Sequence, residues 1–173
     1  MGEIMNIKPF PIDFTAGITP FFQVDDSKRI RFSMSDFQQN PGTLKQVFYH
    51  MFDSDENLAC LFISGYETAD GIRRERLGLG KIVTITNWKN HKRWNEDLDA
   101  YIIYTQVNSL RVSEIYRYFL KLMRGHMPLY ICFYNEEYLV YVNNDVLDIL
   151  SAESKITLLK KRFDELYDKF HAQ

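Results

Sequence analysis

The last quarter of the chain carries the pattern that most constrains its fold. Two runs rich in aromatic and β-branched residues, 129–134 and 138–142, lie on either side of a short polar turn at 135–137. Runs of this composition joined by a tight turn predict a β-hairpin. A further apolar run, 146–150, follows a polar loop, and we expect it to form another strand.

A strongly amphipathic segment follows this strand. Ser151 is a suitable helix start, and apolar residues then recur mostly at intervals of three and four as far as Phe170. This period places them on one face of an α-helix. The residues on this face are Ile156, Leu159, Phe163, Leu166, Tyr167 and Phe170.

The order of these elements over residues 129–170 resembles that of a bacterial family known as domain of unknown function 3885. A turn that contains Asn135 ends the first strand, Tyr141 ends the second, and Asp148 interrupts an apolar strand as in the family. A looser similarity covers Phe21-Phe22 and the segment 30–32. The resemblance implies a fold. Within the predicted helix, the residues that resemble the family pattern are Leu158, Leu159 and Tyr167.

One part of the family pattern is missing. The family's polar loop typically reads Tyr-Asp-Asp-Arg-Gly, whereas here Tyr141 is followed by Val-Asn-Asn-Asp at 142–145. If the family's loop carries an activity, the resemblance implies that this chain lacks it.

The rest of the chain predicts an alternation of strands and helices that ends in the C-terminal pattern. Prolines and a glycine in residues 1–20 favour an extended N-terminal arm, and glycines punctuate an irregular basic insert at 65–97. We expect strands at 21–24 and 29–34, joined in a hairpin by the polar loop 25–28, and further strands at 58–64, 82–86 and 101–104. We expect helices that begin at Thr43 and Ser113.

Together these elements predict an α+β fold in a single domain, 1–173. Short turns between the strands favour a mostly antiparallel sheet, with about three helices packed on one face. The chain has 173 residues, of which 46% are apolar, and a domain of this size buries roughly 70% of its unfolded surface. We therefore expect the chain to be folded around one core.

Composition also bears on the compartment and on membranes. Cys60 and Cys132 lie in apolar runs, where we expect two buried free thiols, with a disulfide between neighbouring strands as the alternative. The first 20 residues lack the apolar core of a secretory signal, and no run approaches the roughly 18 apolar residues of a membrane span. We expect a cytoplasmic protein with no membrane partner.

The segment 71–94 has the most uneven charge in the sequence. It contains seven basic residues against Glu75 alone, and two tryptophans. Cations beside aromatic rings are typical of single-strand nucleic-acid binders, and tryptophan and arginine are enriched at the centres of protein interfaces. The third interpretation is a solvated loop whose tryptophans pack on the domain edge. The candidate binding residues are Arg73, Arg74, Arg76, Trp88, Lys89, Lys92, Arg93 and Trp94.

No pattern of catalytic, metal or cofactor residues emerges from the sequence. Gly78-Leu79-Gly80-Lys81 lacks both the earlier glycine and the following Ser or Thr of a phosphate-binding loop. The four histidines are far apart in sequence, and no Cys-x-x-Cys pair occurs. We therefore expect no catalytic residue, no metal and no cofactor.

Asp148 is a separate candidate, as a structural or functional acid. It interrupts an apolar strand, and a carboxylate buried there needs a charged or hydrogen-bonding partner, for which Arg31 and Arg29 are candidates. Glu136, Glu137 and Asp145 lie nearby in sequence, and converging acids can act as acid and base.

The sequence favours a bacterial, non-catalytic domain that binds another protein. By analogy with other small, aromatic-rich bacterial proteins, the partner expected is a toxin domain, with this chain as its immunity protein. The first alternative is a nucleic-acid-binding domain that uses 71–94. The second is an enzyme whose site is assembled from distant residues.

Overall fold

Eight strands form one antiparallel sheet in this computed structural model, which describes residues 5–54, 56–75 and 78–170. The strand order is β1-β8-β7-β6-β2-β5-β4, and β3 pairs with β2 beyond the end of β6. The strands are β1 (Arg29–Ser33), β2 (Asn57–Thr68), β3 (Gly71–Arg74), β4 (Asn87–Asn95), β5 (Ala100–Arg111), β6 (Ile131–Tyr134), β7 (Leu139–Val142) and β8 (Val146–Leu150).

Four α-helices accompany the sheet, so that the predicted α+β class with a mostly antiparallel sheet is confirmed. About three helices were expected, and the additional one is a short helix directly after β1. The helices are α1 (Met34–Gln39), α2 (Pro41–Met51), α3 (Val112–Met123) and α4 (Glu153–Arg162). In the described part of the chain, none of them has the length and apolar character needed to span a membrane.

The main core lies between the helices and one face of the sheet, which we call the helix face. Apolar residues of all four helices pack there against the inward side chains of the strands. Aromatic rings connect the layers, since Phe48 of α2 contacts Phe119 of α3 at 5.2 Å between ring centroids, and Phe119 contacts Phe133 of β6 at 5.5 Å. Edge-to-face and tilted pairs of this kind add to the free energy of apolar burial.

The opposite face, which we call the arm face, is covered by residues 5–14. Ile7, Ile12 and Phe14 are buried there in a second apolar cluster that includes Leu61 and Cys132 of the sheet. The Phe14 ring lies 4.9 Å from that of Tyr130. Because apolar layers cover both faces, all four residues of β7 are buried, as expected for a continuous apolar strand.

Both cysteines are buried and free, and they lie on different sides of the sheet. Cys60 of β2 belongs to the helix-face core and Cys132 of β6 to the arm-face cluster. Their strands are neighbours, with Cys60 opposite Phe133 and Cys132 opposite Leu61. Residues one step apart point to opposite faces, so the alternative of a disulfide between these strands is wrong.

The predicted hairpin of 21–24 with 29–34 is wrong. Pro20–Gln23 forms a short 3-10 helix, and β1 pairs with β8 instead. Proline is favoured in the first turn of a helix, and Phe21 is buried beneath the guanidinium groups of Arg29 and Arg31, at 4.4 and 4.2 Å from the ring centroid. These tertiary contacts outweigh the strand propensity of two successive phenylalanines.

The stretch 65–97, expected to be an irregular insert, contains two strands and the end of a third. β2 continues to Thr68 and turns into β3, and β4 occupies Asn87–Asn95. The expected strand at 82–86 is absent among the described residues. Ile82 and Val83 are instead buried in the helix-face core after a 3-10 helix at Leu79–Lys81, and Glu114 of α3 accepts hydrogen bonds from the Thr84 backbone and hydroxyl.

The predicted helix from Ser151 to Phe170 is too long. The observed helix, α4, begins at Glu153 and ends at Arg162, after which Phe163 packs in the core and the chain turns. Tyr167 then forms an isolated antiparallel bridge with Phe32 of β1. A continued helix could not supply this pairing, because its backbone groups would be satisfied internally.

Candidate functional site

The two end strands of the main strand order, β1 and β4, differ in how their outer edges are covered. At the β1 edge, Tyr167 bridges to Phe32, and the backbone N–H of Asp168 donates to the carbonyl of Arg31 at 2.7 Å. The C-terminal segment therefore satisfies backbone groups along this edge. Covering an edge in this way is one means by which proteins prevent unwanted strand pairing.

The opposite edge is β4. It pairs with β5 along its whole length, from Asn87 opposite Asn108 to Asn95 opposite Ala100. Within the residues that the structure describes, no other strand pairs with β4. Alternate backbone N–H and C=O groups of a strand point to opposite sides, so one row of these groups faces away from β5.

The side chains of β4 alternate between the two faces. Trp88, Asn90, Lys92 and Trp94 lie on the helix face, because Trp88 is opposite Val107, a member of the helix-face core. The intervening residues lie on the arm face. They are Lys89, His91 and Arg93.

Both tryptophans are exposed although they lie on the helix face. Trp88 is 57% and Trp94 49% exposed, whereas Val107, opposite Trp88, is buried in the helix-face core. Trp94 packs edge-to-face on Tyr101 of β5, with ring centroids 5.1 Å apart. Between the two tryptophans, the hydroxyl of Thr105 donates to the side-chain oxygen of Asn90 at 2.7 Å, and this bond holds β4 on β5.

An exposed row extends from Trp94 across four strands. Trp94 is opposite Tyr101, Tyr101 is opposite Glu67 of β2, and Glu67 is opposite Ile72 of β3. Tyr101 and Ile72 are also exposed. Glu67 forms an ion pair with Lys92, so one cation of β4 is already neutralised by the sheet. The row therefore has aromatic and apolar groups at both ends and an ion pair between them.

The structure divides the basic segment that the sequence presents as one patch. Arg73 and Arg74 lie on β3, and β2 and β5 separate β3 from β4, which corresponds to about 14 Å at the usual spacing of strands. Arg76 lies outside the described residues. The candidates that the fold brings together are those of β4. They are Trp88, Lys89, Lys92, Arg93 and Trp94.

We call these five residues, together with Tyr101, the β4 surface. Its charge is uniformly positive along the strand, since no Asp or Glu occurs between Asn87 and Asn95. The guanidinium of Arg93 donates to the carbonyl of Lys92 at 2.8 Å, so the arginine remains close to the strand. The combination of exposed indole rings, cations and backbone hydrogen-bonding groups suits binding of a polymer chain, whereas no acid–base pair is assembled on this surface.

Asp148, the other candidate, is part of the sheet's interior. It is fully buried, and its two carboxylate oxygens accept hydrogen bonds from Nε and Nη2 of Arg31 at 2.6 and 2.9 Å. Arg31 is one of the two partners named from the sequence. Burial alone lowers the pKa of Arg31, but the hydrogen bond and charge of Asp148, together with the charges of Asp168 and Tyr141, raise it overall, so Arg31 stays charged. The ion pair of Asp148 with Arg31 joins β8 to β1.

The other acids of the C-terminal hairpin, Glu136, Glu137 and Asp145, are exposed, whereas Asp148 is fully buried. Glu136 and Glu137 line an open depression of about 540 Å³, in which the side chain of Asn135 donates to Glu56 at 2.7 Å. Among the described residues, no group of three or more His, Cys, Asp or Glu side chains is placed to hold a metal ion.

Sequence reasoning missed Glu67, Ile72 and Tyr101 as neighbours of the tryptophans. They come from segments that precede or follow β4 in the chain, and only strand register brings them together. The alternation of Tyr101 with the buried Ile102 was an available signal for Tyr101. Nothing in the sequence indicates the position of Ile72.

Comparisons with protein-family models, curated proteins and solved structures find no match to this chain. The resemblance of residues 129–170 to domain of unknown function 3885 stays a prediction.

Proposed function

We propose that this protein is a non-catalytic domain that binds another protein through the β4 surface. The observation that carries the proposal is the exposure of Trp88 and Trp94, the only tryptophans of the chain, on one uncovered strand. Tryptophan, tyrosine and arginine are enriched at the centres of protein interfaces. Neighbouring Tyr101 and Ile72 enlarge the apolar area available to a partner.

A nucleic-acid ligand is less well supported by the same residues. Single-strand binders place stacking rings and cations along one groove. Here Lys89 and Arg93 lie on the face opposite the tryptophans, Lys92 is paired with Glu67, and two strands separate the β3 arginines from β4. The cations therefore do not line a common path with the rings.

The test is affinity capture from the native host extract with the wild-type protein and a Trp88→Ala/Trp94→Ala variant. A protein recovered by the wild type should be lost with this variant. The matched control is Met127→Ala/Leu158→Ala, which removes two side chains that are 64% and 59% exposed elsewhere. The control variant should recover the same protein, and equal recovery by all three proteins would exclude the β4 surface.

A salt titration decides between protein and nucleic acid. Nucleic-acid binding through phosphate contacts weakens steeply as salt is added. We expect the protein to show no such binding of a single-stranded oligonucleotide, even at low salt. Such binding, if lost in the tryptophan variant, would contradict a protein partner. The toxin domain expected by class analogy remains part of the proposal, and co-expression of a captured toxin with the two variants would test it directly.

A further inference from the structure

We infer that β4 binds its partner by strand addition, and that the added segment alternates acidic and apolar residues. This inference rests on the proposed function and specifies how the β4 surface would recognise a protein. In strand addition, an extended segment pairs with an exposed sheet edge through backbone hydrogen bonds, while alternate side chains determine specificity.

The backbone of β4 is suited to this pairing. The strand has nine residues in unbroken register with β5, and the contact of Thr105 with Asn90 holds it there. A strand of this length presents the outward groups of about four residues to a new neighbour. By contrast, the chain's own Tyr167 and Asp168 contact the β1 edge. β3 also pairs with one strand only among the described residues, but it has four residues against the nine of β4, so β4 is the longer edge for an added strand.

Charge determines which segment fits. A second antiparallel copy of β4 centred on His91 would bring Lys89 opposite Arg93 twice, and like charges opposite one another destabilise a strand pair. An acidic segment provides the complementary charge. Edge lysines also protect sheets from self-association, but this protection requires no tryptophan, and two exposed indole rings work against it.

The alternation of β4 sets the order of residues in the partner. On the arm face an added strand lies beside Lys89 and Arg93, where carboxylates would be favoured. On the helix face it lies beside Trp88 and Trp94, where apolar side chains would be favoured, since Lys92 is already paired with Glu67. A one-residue shift would exchange the two sets of side chains, so the pattern also fixes the register.

Intrinsic fluorescence provides a direct measurement, because both tryptophans of the chain lie on β4. The probe is a capped nonapeptide of alternating Glu and Val. The control has the same composition with all Glu residues before all Val residues. We expect the alternating peptide to change the tryptophan emission and to bind at least about tenfold more tightly than the control.

Two methylated peptides test the backbone pairing itself. One carries N-methyl groups on every Glu amide and the other on every Val amide, so that only one of them blocks the N–H groups that face β4. We expect one peptide to bind about as tightly as the unmodified probe and the affinity of the other to fall about tenfold or more. Equal binding by both, or equal loss by both, would overturn strand addition.

Charge reversal provides an independent test. Lys89→Glu/Arg93→Glu should prefer an alternating Lys and Val peptide to the Glu and Val probe, whereas Lys45→Glu/Lys161→Glu, which changes two exposed lysines on helices, should not. Circular dichroism checks that both variants are folded. No change in emission with the Glu and Val probe up to about 1 mM would overturn the inference.

The capture experiment separates this inference from the proposed function. Loss of a captured protein in the tryptophan variant, together with no preference for the alternating peptide, would leave the β4 surface as an interface and exclude strand addition. Retention of the captured protein by the tryptophan variant would exclude both.

Discussion

Arg31 on β1 and Asp148 on β8 are opposite each other in the sheet and share two hydrogen bonds, at 2.6 and 2.9 Å. The pair joins residues 117 positions apart in the chain. Phe21 lies beneath the guanidinium at 4.2 Å and shields it from water. The first and last strands are thus joined by an ion pair inside the fold.

We expect Asp148→Asn to lower the free energy of unfolding by about 3 kcal/mol, because removing one member of a buried pair leaves the other charge uncompensated. Urea unfolding followed by far-UV circular dichroism measures the change. Asp164→Asn, which removes the exposed pair of Asp164 with Lys169, should leave the urea midpoint nearly unchanged. Similar costs for the two variants would contradict a special role for the buried pair.

His50 should make stability depend on pH. Burial, followed by the charges of Arg162 and Lys155, lowers its pKa in the folded protein, and Arg162 contacts its Nδ1 at 2.7 Å. Below about pH 6.5 the unfolded chain binds a proton that the folded protein binds less readily, so stability falls as pH decreases through this range. Urea midpoints at several pH values should show a smaller decrease for His50→Gln.

Arg162→Gln gives the matched test of the cause. Removing the neighbouring cation should raise the pKa of His50, as followed by the NMR chemical shifts of the imidazole ring. An unchanged pKa in this variant would show that the arginine does not act on His50.

The two thiols should be unreactive in the folded protein. Burial raises the pKa of Cys60 to about 12 and raises that of Cys132 well above its ordinary value. The thiolate is the reactive form, so neither cysteine should react with a disulfide reagent at pH 8, whereas both should react in denaturant. Rapid reaction of one thiol under native conditions would contradict this burial.

Gly65 should tolerate no side chain. A Cβ atom at this position would lie 2.5 Å from the carbonyl oxygen of Arg73, so β3 would have to move away from β2. We expect Gly65→Ala to cost about 1–3 kcal/mol in urea unfolding. Gly80→Ala is the control, because nothing lies within 4 Å of the added atom, and it should change stability by less than about 0.5 kcal/mol.

The fold class could be predicted because most strands of the sheet are covered by apolar layers. β6, β7 and β8 consist largely of buried apolar residues, and short turns join them, so composition and spacing indicate the same antiparallel arrangement. α3 was likewise indicated, since its buried residues recur with the helical period. Because these residues are buried, the spacing of apolar residues in the sequence follows the period of each element.

β4 could not be recognised because burial imposes no such pattern on it. Its side chains are exposed or half-buried on both faces, so its sequence is polar apart from Trp88 and Trp94 and has no alternation of apolar residues. The candidate site was therefore grouped by proximity in sequence. Trp88 and Trp94 were identified as candidates, whereas the separation of Arg73 and Arg74 from them depends on two intervening strands.

The unequal edges of the sheet limit how this molecule can assemble. A fibre needs two complementary free ends on each subunit, one to receive a neighbour and one to be received. Here the C-terminal segment pairs with Phe32 and Arg31 of β1, so an array growing from β4 through β1 would first have to displace this segment. Association through these two strands would therefore favour a complex of fixed stoichiometry over a fibre.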